Sequence, residues 1–300
     1  MKSPWIEGLR SVAFDVPDLA AAEAFYTRTW RLDVAARGDG VLYLRGCGDD
    51  HHLLALHRRA GAPRLRQVTL RARSAAALDA VAQAGAAGGG VIERRGDALD
   101  PAGGHGLVLR DPDGRRYEIV HGDVRRAPDR AAAADQPLRL AHAVLNSHDV
   151  AQSQAFIERA LGFVLADRTR IMAFMNCNAD HHTLAFADAD NNALNHVAFA
   201  MPTLDAVMRG GGRLKDAGHP IEWGPGRHGP GDNAFNYFID PFGIVIEYTA
   251  EVQQIDDSYV VRGPTDWAWP PGRVDHWGIS APPSARLKQA QREVLFAPSL

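Results

Sequence analysis

Three hundred residues with 46% apolar and 23% charged content describe a globular chain of about two domains. A net charge of -3 supplies no broad basic surface for nucleic acid or an anionic membrane, so neither is an expected partner. Two cysteines are too few for a disulfide framework, the N-terminus lacks the apolar core of a signal peptide, and no apolar run approaches the ~20 residues of a membrane span. A cytoplasmic protein acting on a small molecule is the expectation.

In chain order, Leu9 to Val16 alternates at period two and predicts a strand, with Asp18 as N-cap of a helix over residues 19–29. Val41 to Arg45 and His52 to His57 read as strands. Gln67 to Ala72 starts the cycle again, Ala75 to Ala86 forms a second helix, and Gly106 to Arg110 with Arg116 to His121 forms a hairpin around Asp111-Pro-Asp-Gly114. Residues 122–137, rich in Ala, Arg, Asp and Pro, read as a linker. The pattern then recurs at a shift of about 130 residues: Asp18 falls on Asp149, Phe25 on Phe156, and Asp111-Pro-Asp-Gly on Asp240-Pro-Phe-Gly. The expected fold is α+β, with two tandem domains at 1–121 and 138–300. Each holds two β-α-β-β-β modules that form a cupped mixed sheet around a cavity. A tail containing Trp267, Trp269, Pro270, Pro271 and Trp277 has no clear period. It reads as an extended arm packed on the second domain, with cover over a pocket as the alternative.

The two copies differ where it matters. The second carries His142, His196 and Glu247 where the first carries Ser11, Gln67 and Glu118. Two histidines and a carboxylate leave three adjacent positions open on an octahedral ion, the facial arrangement of non-haem Fe(II) oxygen chemistry. Strand residues of like alternation share a face, so three distant positions can converge inside a cupped sheet. Glu118 reads as a structural or surface carboxylate, because one carboxylate cannot hold an ion.

Taken with Asp180-His-His-Thr-Leu-Ala-Phe186, Asn195-His-Val-Ala-Phe199, Gly226-Arg-His-Gly-Pro230 and Tyr237-Phe-Ile-Asp-Pro-Phe-Gly-Ile-Val-Ile-Glu-Tyr248, these residues make the chain similar to the type I extradiol catechol dioxygenases of the vicinal oxygen chelate superfamily. The resemblance covers nearly the whole chain in layout and is most specific between 142 and 248. It implies a metal-free N-terminal domain and a C-terminal domain whose His142, His196 and Glu247 hold Fe(II), with Mn(II) as an alternative on the same ligands. It also implies an acid-base histidine on the strand ending in Ala-Phe, and selects His182 over His181. Alternation independently allows only one of that pair to face the pocket, which leaves His181 as a solvent-side or loop residue. His228, after a Gly-Pro-Gly-Arg run, and Tyr237, on the hairpin arm opposite Glu247, would steer a substrate oxygen. The departure from the pattern is local: Gly229, Pro230 and Gly231 stand where some relatives carry a polar residue.

The implied reaction inserts both atoms of O2 into a catechol beside its hydroxyl-bearing carbons, and the implied assembly is a homo-oligomer. Phe174, Met172, Phe186, Ile221 and Trp223 are candidate pocket residues for a substituted or biaryl catechol, and each can equally be core. A metal-dependent glyoxalase-like isomerase or lyase is the first alternative, although such sites usually need a second carboxylate ligand. A metal-free small-molecule binding protein of the same fold is the second. His148, His219 and His276 read as surface or capping residues, Cys177 as a packing residue, and His51 and His52 carry no functional expectation.

Overall fold

The computed structural model describes residues 2–129 and 131–298. The first copy runs β1 (Ile6–Val16), α1 (Leu19–Ala24), a π-helical turn over Phe25–Thr29, then β2 (Asp33–Gly38), β3 (Val41–Arg45) and β4 (Leu54–Arg58). Its second module is β5 (Arg64–Ala72), α2 (Ala75–Ala87), β6 (Val91–Asp97), β7 (His105–Arg110) and β8 (Arg116–His121). The second copy repeats this as β9 (Arg139–Ser147), α3 (Val150–Leu161), β10 (Val164–Arg168), β11 (Met172–Asn176) and β12 (Leu184–Asp188), then β13 (Leu194–Ala200), α4 (Leu204–Asp216), β14 (Trp223–Arg227), β15 (Ala234–Ile239) and β16 (Val245–Ala250). The tail adds α5 (Ala285–Ala290) and β17 (Leu295–Phe296). The chain is therefore two tandem, sheet-dominated α+β units. Their strand orders are β2-β3-β4-β1-β5-β8-β7-β6 and β10-β11-β12-β9-β13-β16-β15-β14.

Matched local chemistry builds the copies alike. Asp18 caps α1 by accepting from Ala20 N and Ala21 N, and Asp149 caps α3 by accepting from Gln152 N. Each closing hairpin turns on an aspartate whose side chain accepts from the backbone two and four residues on: Asp111 from Asp113 and Arg115, Asp240 from Phe242 and Ile244. The copies then clasp each other reciprocally. From the first helical segment, Tyr26 Oη donates to Asp240 Oδ2 at 2.8 Å; from the second, Ser153 Oγ donates to Asp113 Oδ2 at 3.0 Å. Burial pushes the Asp240 carboxyl up to about 6, against its local hydrogen bonds. Trp30, fully buried, stacks on Tyr248 with centroids 3.7 Å apart and meets Phe199 and Phe238 edge-on.

Three expectations are corrected. The α1 helix stops at Ala24 and passes into π geometry, where residues 19–29 read as one helix. The tail is not confined to the second unit, because β17 pairs in parallel with β5 of the first sheet and Ala193 bridges to Leu295. His52 lies in the loop before β4 and not in the strand. No helix among the described residues is long and apolar enough to cross a membrane.

Replacing Trp30 with Ala removes the ring that ties the first copy to the strand carrying Glu247. A loss of about 3–5 kcal/mol is expected for a buried Trp, read as a lowered urea midpoint. A change under about 0.5 kcal/mol, typical of a surface substitution, would contradict this packing account.

Candidate metal centre

The strands β9, β13 and β16 lie side by side, and their registry brings the sequence-distant residues together. Ala198 on β13 faces His142 on one side and Glu247 on the other, while His196 pairs with Val144 across a bulge after Leu194. A bulge re-aims a side chain without ending the strand. His142 Nε2 and His196 Nε2 each lie 3.2 Å from Glu247 Oε2 and 3.4 Å from each other. All three side chains are buried, and their ligand atoms fall within 4.8 Å of one another.

Their protonation follows from their surroundings. Burial alone would raise the Glu247 carboxyl, but the His142 and His196 rings against it outweigh burial and hold the group well below the ordinary carboxylate range. Burial lowers His196, opposed by Glu247, so the imidazole is held toward its neutral form. Deprotonated donors are what a cation requires. The tautomer of His196 is set from behind: its Nδ1 lies 2.8 Å from Asn195 Oδ1, which also accepts from Gln291 Nε2. With Nδ1–H donated there, the Nε2 lone pair of a neutral His196 would be free for an ion held with His142 and Glu247, as in histidine ligands oriented by an outer hydrogen bond. His142 Nδ1 is buried without a partner. Asn233 Nδ2 completes the surroundings of Glu247 at 3.4 Å from Oε1. Two imidazole nitrogens and one carboxylate oxygen fit a divalent ion.

Two sets of groups flank the cluster. The His182 ring lies 4.3 Å from the His142 ring, and its Nδ1 is 3.1 Å from His181 Nδ1. His181 Nε2 in turn meets Asp167 Oδ2 at 2.8 Å, a carboxylate that also accepts from Tyr259 Oη and the Arg262 backbone. Asp167 can only accept, so His181 donates through Nε2. A neutral His181 then accepts at Nδ1, and His182 donates through its own Nδ1. That leaves the His182 Nε2 lone pair for the cavity. Burial, then the neighbouring histidines, depress His182 well below its ordinary value, so it is an unprotonated base at neutral pH. On the other flank His228 Nε2 sits 3.0 Å from Tyr237 Oη, which is 3.4 Å from His196 Nε2. Burial lowers His228 to about 4 and raises the Tyr237 phenol well above its ordinary value, so the phenol stays a proton donor. Gly231, at φ +83°, passes so close to His182 that an added Cβ would lie 3.0 Å from the ring.

Several expectations need correction. His181 is fully buried and bonded to Asp167, not solvent-facing. His182 stands in the loop before β12 rather than on the strand. Phe186 belongs to the main core beneath the Arg115 guanidinium, and Ile221 packs on that core, so neither faces the centre. Phe174 meets the His182 ring edge-on at 5.1 Å, with Met172 in its cluster, and Trp223 lies 5.1 Å from His228. His219 is half-buried against Phe25 and joins the two copies, while His148 and His276 are exposed. Burial pushes the Cys177 thiol up to about 12, where it packs without nucleophilic character. The sequence reading missed Asp167, Asn195, Asn233 and Gln291. Of these only Asn195 carried a signal, as a polar neighbour of a candidate ligand.

The first copy holds a different centre. Gln67 and Thr69 donate to Glu118 Oε2 at 2.8 and 3.2 Å, and Arg94 to Oε1 at 2.8 Å. Glu118 is buried and structural, not a surface group.

Comparison with known proteins gives the same twofold division. Residues 139–248 match the family described as the Glyoxalase/Bleomycin resistance protein/Dioxygenase superfamily, and residues 11–120 match a glyoxalase-like domain. Among curated proteins the chain is 31% identical over 180 residues to metapyrocatechase 2 of Cupriavidus necator, covering 57% of this chain and 51% of that protein, so the match spans about half of that relative. It is 29% identical over 280 residues to biphenyl-2,3-diol 1,2-dioxygenase of Pseudomonas sp. (strain KKS102), covering 85% and 93%. The solved Mn(II)-bound glyoxalase from Novosphingobium aromaticivorans superposes with a TM-score of 0.85 at 32% identity, covering 94% of each chain.

Replacing His142, His196 or Glu247 by Ala is expected to abolish retention of a divalent ion, while Glu118→Gln keeps one ion per chain. Inductively coupled plasma mass spectrometry of anaerobically purified protein checks this. Two ions per chain in the wild type, or a full ion in any of the three alanine variants, would contradict the assignment.

Proposed function

The chain belongs to the glyoxalase/bleomycin resistance protein/dioxygenase superfamily, and within it we propose that it is an Fe(II)-dependent extradiol dioxygenase that cleaves the ring of a substituted or biaryl catechol with O2. One observation carries the reading: the His142, His196 and Glu247 cluster is flanked by a base, His182, and by a donor pair, His228 and Tyr237. When bound there, the ion would supply adjacent positions for two catechol oxygens and O2, and a charge that makes a hydroxyl more acidic. His182 Nε2 takes the proton of the second hydroxyl and holds it for return as the ring opens. Tyr237 donates to the neighbouring oxygen, with His228 fixing the phenol from behind. Phe174, Met172 and Trp223 give the ring an apolar approach. The relatives named as catechol or biphenyl-diol dioxygenases support this chemistry.

A glyoxalase-like isomerase or lyase is the second reading, favoured by the likeness to the Mn(II)-bound glyoxalase. Against it, His142, His196 and Glu247 form the only cluster of metal-binding type among the described residues, and it holds one carboxylate.

An oxygen electrode with a panel of catechols separates the two, with the yellow ring-opened product followed in parallel. Oxygen uptake stoichiometric with catechol loss is expected, and none with any catechol, in protein of full iron content, would sink the proposal. The His182→Ala variant is expected to keep its iron and lose about 10²–10⁴-fold in turnover, as for loss of a general acid-base group. Loss of the iron instead would make His182 a ligand.

A further inference from the structure

Outside the metal centre the first copy encloses a cavity of about 560 Å³. Its walls come from the same face of the sheet that carries the metal residues in the second copy, and Ser11, Gln67 and Glu118 all line it. A cation has been built in. Arg10, 1% exposed, reaches Ser11 Oγ through Nε at 3.1 Å and His52 Nε2 through Nη2 at 3.3 Å, and pairs with Asp100. Ser11 occupies the place of His142 and His52 that of His182, so the guanidinium spans the ground beside which the ion would lie in the other copy. Asp50-His51-His52 repeats Asp180-His181-His182, including an Nδ1 to Nδ1 contact of 3.1 Å.

Volume and lining have the character of a ligand site: a few hundred Å³, small apolar walls and a few convergent polar groups. Ala13 and Ala55 lie side by side on paired strands with Tyr43 next to them, and together with Val108 they give the cavity a wall of small apolar side chains beside the Tyr43 ring. Four arginines, Arg10, Arg66, Arg94 and Arg110, line it against three carboxylates, Glu93, Asp100 and Glu118. The fourth counter-charge, Asp15, is 1% exposed and lies behind the wall against Arg66. At the rim, Arg66 uses Nη1 on Asp15 and Arg110 uses Nε on Glu93, which leaves N–H donors of both forks to the cavity. Burial and the neighbouring arginines depress His52 and His57, the latter to about 4, so neither competes as a cation at neutral pH.

We propose that this cavity is a second small-molecule site, which takes a planar monocarboxylate of about one aromatic ring, its carboxylate on Arg66 and Arg110 and its ring laid on the small side chains of Ala13 and Ala55 beside Tyr43. Planar forked donors match a carboxylate, and a wall of small side chains leaves room for a flat ring. The site is independent of the catalytic reading, since it needs neither metal nor turnover.

Isothermal titration calorimetry with benzoate tests it on metal-loaded wild type, on His142→Ala and on Arg66→Ala/Arg110→Ala. One equivalent is expected to bind to wild type and to His142→Ala with equal affinity. The arginine pair is expected to weaken binding about tenfold or more, the loss of charge-assisted hydrogen bonds, with metal content unchanged. Ala55→Phe, which fills the space over that wall without touching a charge, is expected to abolish binding and likewise keep the metal. Silence of wild type, benzoate binding that disappears with His142→Ala, or full affinity in the arginine pair would overturn the proposal.

Discussion

A carboxylate buried at the centre of a sheet is the constraint on which the second half of the molecule depends. Glu247 is fully buried, and an ionised carboxylate in that position is costly unless its charge is met by donors or a cation. His142, His196 and Asn233 converge on it, and the two imidazoles outweigh burial in holding its pKa below the ordinary carboxylate range. Their placement is a matter of strand registry. The β16 strand sets Glu247 opposite Ala198 between the two histidine positions, and the bulge before His196 turns that ring inward. A shift of one residue in either pairing would send a ligand to the core face.

The first copy shows the same constraint met in another way. Glu118 is equally buried, but Gln67, Thr69 and Arg94 satisfy it, and Arg10 supplies a tethered positive charge nearby. The two copies thus share the carboxylate and differ in the partners that meet it. The clasp through Tyr26 and Asp240, Ser153 and Asp113, and Trp30 and Tyr248 joins the two copies in one structure.

Much of this was legible because it is periodic. The capping aspartates, the Asp-Pro-x-Gly turns and the alternation of central strands are local signals, and the internal repeat doubled each of them. The strands that escaped notice in the first copy, β2 and β6, are the two ends of its sheet. Edge strands carry charge and weak alternation, as Asp33-Val-Ala-Ala-Arg-Gly38 and Val91-Ile-Glu-Arg-Arg-Gly-Asp97 do. The candidate ligand set could be read from the contrast between copies, and the structure brings its three members together. Asp167 and Gln291 could not, since one lies on an edge strand and the other just beyond the tail helix, and only tertiary contact gives either its part. His181, read as a solvent-side or loop residue, does lie in the loop before β12, but only tertiary contact shows that it is buried there against a carboxylate.

The central claim is that this centre places both atoms of O2 on a catechol. Turnover of a reactive catechol under isotopically labelled O2, with mass spectrometry of the ring-opened product, tests it most directly. Two labelled oxygens in each product molecule are predicted, after correction for exchange with water. A product carrying one label, or none, would contradict a dioxygenase mechanism.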